Sequence, residues 1–85
     1  PMAHEFRKRE EEDELIKRYE ESLKKNAGAF FDIDEYEIII DYYLELSKHK
    51  KALTAVTQAM EQFPFSTGLM TLKAQIHTNL AQYAE

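Results

Sequence analysis

The sequence predicts an all-α chain of about four helices, packed as antiparallel neighbours. Strong helix formers dominate, and only two Gly and two Pro stand among the 85 residues. Apolar residues recur at spacings of three and four through most of the chain. Breakers and caps cluster around residues 26–28, 47–49 and 64–67, dividing the chain into segments of helical length. Eighty-five residues allow one small domain with a thin core.

Residues 5–25 contain no helix breaker. Four acid-first pairs spaced four apart support a helix there: Glu5–Arg9, Glu14–Arg18, Glu20–Lys24 and Glu21–Lys25. The apolar residues Leu15, Ile16, Tyr19 and Leu23 make one narrow stripe, with Phe6 far upstream. A docked helix is therefore expected from about Asp13 to Lys25, after a first dozen residues that are frayed or a solvated extension. The charges from Arg7 to Asp13 are mixed in sign and read as a solvated helix surface. Asn26, Ala27 and Gly28 should close this segment, since Asn and Gly both accept the left-handed backbone of a helix end.

Asp32 followed three residues later by Glu35 forms a capping box, and Phe31 and Tyr36 are spaced as a hydrophobic staple. The next helix should begin at Asp32–Ile33. The acids of FDIDEYE lack the glycine and terminal glutamate of a calcium loop, and carboxylates are favoured at any helix start, so capping is preferred to metal binding. From Ile33 to Leu46 the apolar surface is wide, as suits a helix with neighbours on two or three sides. Ser47, Lys48 and His49 read as a short polar connection, and short connections place helices antiparallel. A helix follows to Gln62, with Ala52, Leu53, Val56, Ala59, Met60 and Phe63 on its apolar side. Pro64 ends it. Ser66 or Thr67 can cap a last helix from Leu69 to about Ala81, with Gly68 in its first turn.

Several functional classes are disfavoured. There is no cysteine, hence no disulfide framework and no thiolate chemistry. That fits a reducing, cytoplasmic setting. The longest apolar runs are three to four residues, where a membrane helix needs about 20. The charged start shows no signal peptide, and Pro1 before Met2 reads as a cloning remnant. A net charge of −5 argues against nucleic-acid binding. His4, His49 and His77 share no metal-ligand spacing, and His77 reads as a partly buried tenant of an apolar site. No nucleophile elbow or phosphate loop is present. The expectation is a protein that is not an enzyme and that has no cofactor and no metal.

Residues 46–49 (LSKH) align with residues 80–83 (LAQY), and Tyr36 with Met70, at a constant offset of 34. That period, with two helices per unit, resembles the tetratricopeptide repeat. Tyr36, Ile39 and Tyr43 stand at large apolar sites of the motif's first helix, Ala52 and Ala59 at small sites of its second, and Pro64 at its near-terminal proline. Ala74 and Tyr83 match in a partial second unit. Ile40, Val56, Ser47 and His77 depart from the pattern; Ser47 replaces the turn glycine. The resemblance covers residues 33–85 and looks most like bacterial members with many further units.

It implies a TPR-like right-handed α-solenoid: residues 1–28 as a charged capping helix, and 29–85 as the repeat region, with 33–66 the full unit and 67–85 a partial one. It further implies a protein or peptide partner, held in the groove lined by first helices. Here that groove would present Asp34, Glu37, Asp41, Leu44 and Glu45, and then Gly68, Thr71, Gln75, Thr78 and Asn79. Four carboxylates there would repel an acidic peptide and favour a basic or neutral one; the alternative is a solvated face. The chain is expected to be part of a longer array. Leu69, Met70, Leu72, Ile76, Leu80 and Tyr83 would then lack half their cover, which implies self-association through the last helix.

Overall fold

The computed structural model describes residues 2–25 and 29–83. The described residues form four helices and no strand: α1 (Met2–Lys24), α2 (Ile33–Glu45), α3 (His49–Gln62) and α4 (Thr67–Tyr83). They fall into two compact units, Pro1–Phe30 and Phe31–Glu85.

The first unit is α1. It is continuous from Met2, so the first dozen residues are helix too, and residues 5–11 of it are exposed. Unbroken helix formers and acid-first pairs carry the helix beyond its apolar stripe. Leu15, Ile16 and Tyr19 are buried, but Leu23, expected on the same stripe, is 41% exposed. The Ser22 hydroxyl donates to the Tyr19 carbonyl at 2.6 Å. The closing residues expected at Asn26, Ala27 and Gly28 lie outside the described residues.

The second unit opens on the capping box. The Glu35 amide donates to Asp32 Oδ1 at 2.8 Å, and the Asp32 amide donates to Glu35 Oε1 at 3.0 Å. Phe31 is buried and meets the Tyr36 ring edge-on at 5.6 Å, which completes the staple. Tyr36, Ile39, Ile40 and Tyr43 then form the buried face of α2.

The α2–α3 turn is a Schellman motif. The Ser47 amide donates to the Leu44 carbonyl at 3.0 Å and the Lys48 amide to the Tyr43 carbonyl at 2.8 Å. Ser47 sits at φ 57°, the left-handed position where glycine is favoured. The helix after it starts at His49, inside the stretch expected to be connection.

On α3 the fully buried residues are Ala52, Ala55, Val56 and Ala59. Three are alanines, and a small-residue face allows close helix approach. α3 packs against both α2 and α4. Leu53, Met60 and Phe63 are only half-buried, and Ala55 is a core residue that the apolar spacing did not single out.

Ser66 caps α4, its hydroxyl accepting from the Leu69 amide at 3.1 Å, so the helix begins two residues before Leu69. Leu69 and Ile76 are completely buried. They are core of the chain, which corrects the expectation that they lack cover. His77, next to Ile76 but about 100° further round the helix, is exposed rather than seated in an apolar site. Among the described residues, no helix is long and apolar enough to cross a membrane.

Candidate functional site

The buried stripe of α2 leaves its carboxylates on the far side. Asp34, Glu37, Asp41 and Glu45 follow at intervals of three and four, which puts them on one face of a helix. Asp34, Asp41 and Glu45 are exposed, and Glu37 and Leu44 half-buried.

Glu37 and Asp41 line an open cleft of about 530 Å³, whose other wall is the start of α4: Thr67, Gly68, Thr71 and Leu72. A Cβ placed on Gly68 would lie 3.6 Å from Glu37 Oε2 and 3.8 Å from Ser66 Oγ, which is ordinary contact. The carboxylate of Glu37 therefore reaches across to the first turn of α4.

The polar groups of this cleft accept more readily than they donate. The Thr71 hydroxyl spends its hydrogen on the Thr67 carbonyl at 2.9 Å, leaving its oxygen as acceptor. Partial burial raises the Asp41 carboxyl above the usual aspartate range, and the charge of Glu45 adds to the rise. Leu72 supplies an apolar wall. This combination suits a group that brings hydrogens or positive charge together with some apolar surface.

Of the residues expected in a groove, the cleft brings together Glu37, Asp41, Gly68 and Thr71. Asp34, Leu44 and Glu45 on α2 are not among its lining residues, nor are Gln75, Thr78 and Asn79 on α4. Gln75 and Thr78 are exposed, Asn79 is half-buried, and the Thr78 hydroxyl donates to the Ala74 carbonyl at 3.0 Å. Thr67 was singled out by the sequence only as a possible cap of the last helix. Leu72 was singled out for self-association. Of the remaining residues assigned to self-association, Leu69 and Ile76 are buried and Leu80 is half-buried. The Tyr83 side chain lies outside the described residues.

Among the described residues, no group of three or more His, Asp or Glu is arranged to hold a metal ion. Comparison with protein-family models, curated proteins and solved structures gives no match for this chain.

Proposed function

We propose that this chain is a non-enzymatic protein-interaction module that takes a basic or neutral peptide segment against the acidic side of α2, in helix pairs organised like those of a tetratricopeptide α-solenoid. The cleft carries the reading: two carboxylates, an acceptor hydroxyl and a leucine wall lie together between α2 and the start of α4. Such a surface attracts a Lys- or Arg-bearing segment and repels an acidic one. The solenoid reading is supported by the 34-residue spacing, the packing of α3 on both α2 and α4, the buried Ala52 and Ala59, and the left-handed Ser47 at the motif's glycine position.

Selection of random 12-residue peptides displayed on phage tests it. Peptides enriched on the wild-type chain should carry net positive charge and should lose binding to Asp41→Lys. Enrichment of acidic peptides, or binding indifferent to that charge reversal, would contradict it.

A second reading is an assembly segment that self-associates through α4. Met70 is 43% exposed, and Leu72 and Leu80 are half-buried. Sedimentation equilibrium at tens of micromolar separates the readings: a mass above one chain that Leu80→Glu restores to one chain supports assembly, and a strictly monomeric wild type removes it.

A further inference from the structure

The two carboxylates of the cleft stand in different electrical surroundings. A helix start leaves amide groups without intrahelical partners and carries partial positive charge. At α4, Ser66 Oγ accepts from the Leu69 amide, and the Ser66 carbonyl accepts from the Met70 amide. Thr67 and Gly68, whose amides belong to the same turn, line the cleft. α2 has Asp34 and Glu35 in its first turn, whereas α4 has no acidic residue in its own. The carboxylate that comes to this turn is Glu37 of α2, its Oε2 3.6 Å from the position a Gly68 Cβ would take.

We infer that Glu37 is a positioning residue: it supplies from α2 the negative charge that the first turn of α4 lacks, and so holds the start of α4 against α2. Asp41, one turn further along, is then the carboxylate left to meet a partner. This division of labour rests on the binding reading; the positioning role does not.

The sign of one substitution decides between positioning and a merely solvated acid. Glu37, Asp41 and Glu45 are spaced four apart, and like charges at that spacing destabilise a helix. If Glu37 did nothing for α4, Glu37→Gln would relieve repulsion and raise the melting temperature. If Glu37 completes α4, the same change lowers it.

Thermal melts and amide hydrogen exchange of the whole chain test this at low salt. Glu37→Gln should lower the melting midpoint by about 2–5 °C and speed exchange at Gly68 about two- to fivefold. The difference should shrink in 1 M salt, where the screening length falls to about 3 Å. Adding Thr67→Asp, which places an acid in α4's own first turn, should restore the midpoint. Asp41→Asn should leave it unchanged or raise it. A Glu37→Gln variant as stable as wild type or more so would overturn the inference, as would a loss that Thr67→Asp does not restore. Should these shifts appear while Asp41→Lys leaves peptide binding intact, the positioning role stands and the binding reading alone falls.

Discussion

The Gln62 side-chain amide donates to the Tyr36 hydroxyl at 2.9 Å, tying the last turn of α3 to the beginning of α2. Tyr36 is 2% exposed and lies between two edge-on rings, Phe31 at 5.6 Å and Phe63 at 6.5 Å. One side chain thus joins the staple of α2, the end of α3 and the turn that leads to α4.

Tyr36→Phe keeps the ring packing and removes the hydrogen bond. Stability to urea should fall by about 0.5–1.5 kcal/mol, toward the lower end because the exposed Gln62 regains water. Tyr36→Ala, which also opens a cavity, should cost about 3–5 kcal/mol. Burial raises the Tyr36 pKa most; the Gln62 bond lowers it and Glu61 raises it. The net rise means that the folded state holds the phenol proton longer than the unfolded chain does. This contribution is therefore fully present below the ordinary tyrosine range of about 10 and is lost as pH rises through the folded value. Urea titrations from pH 8 to 11 should show that loss in wild type and less of it in Tyr36→Phe.

Ser47 occupies a left-handed backbone position at φ 57°. Relief of its Cβ strain outweighs the greater freedom that glycine brings to the unfolded chain, so Ser47→Gly should stabilise by about 0.5–1 kcal/mol. Ser47→Val, which adds a β-branch at positive φ, should destabilise by more than about 1 kcal/mol. Chemical denaturation of the two variants checks the order.

Ala52, Ala55 and Ala59 are completely buried on the helix packed from both sides. Ala55→Leu should cost about 1–3 kcal/mol through overpacking, whereas Thr57→Leu, at an exposed position of the same helix, should change stability by less than about 0.5 kcal/mol. Equal responses at the two sites would contradict the central placing of α3.

The Asp41 carboxyl is raised by partial burial and then by Glu45. In the interval between its unfolded and folded values the native state binds more protons, so its ionisation opposes folding as pH rises. Asp41→Asn should therefore gain stability relative to wild type as pH rises above the ordinary aspartate range of about 4, and should keep that gain at neutral pH. If a cationic segment binds here, its affinity should drop on acidification at a higher pH than an ordinary aspartate would give. Paired melts and binding isotherms from below that range to neutral pH read both effects.

Local chemistry was legible where neighbours in sequence are also partners in space. The Asp32–Glu35 box, the Phe31–Tyr36 staple and the Ser66 cap rest on contacts within five residues, and the α2 face through Tyr36, Ile39 and Tyr43 rests on a helical period that the sequence displays. Tertiary facts were not. Ala55 carries too little apolar surface to stand out, yet it lies where α3 is covered. Leu69 and Ile76 read as an open face, yet they are buried in a chain whose α4 packs on α3. Leu23 shares a stripe with Tyr19 but not its burial. Glu37 and Asp41 on the α2 side of the cleft, and Gly68 and Thr71 on the α4 side, were named only through the resemblance to the repeat. The α4 side depends on how α4 is rotated about its axis, so Thr67 and Leu72 were given other roles.

In the proposed function, the cleft between α2 and α4 accepts positive charge. An amide chemical-shift titration of the chain at low salt, with a decapeptide alternating Lys and Leu and a second alternating Glu and Leu, tests it most directly. Saturable shifts are expected at Glu37, Asp41, Thr67, Gly68, Thr71 and Leu72 with the lysine peptide, weakened by Asp41→Lys and absent with the glutamate peptide. Shifts confined to other residues, no saturable shifts, or equal response to both peptides would contradict it.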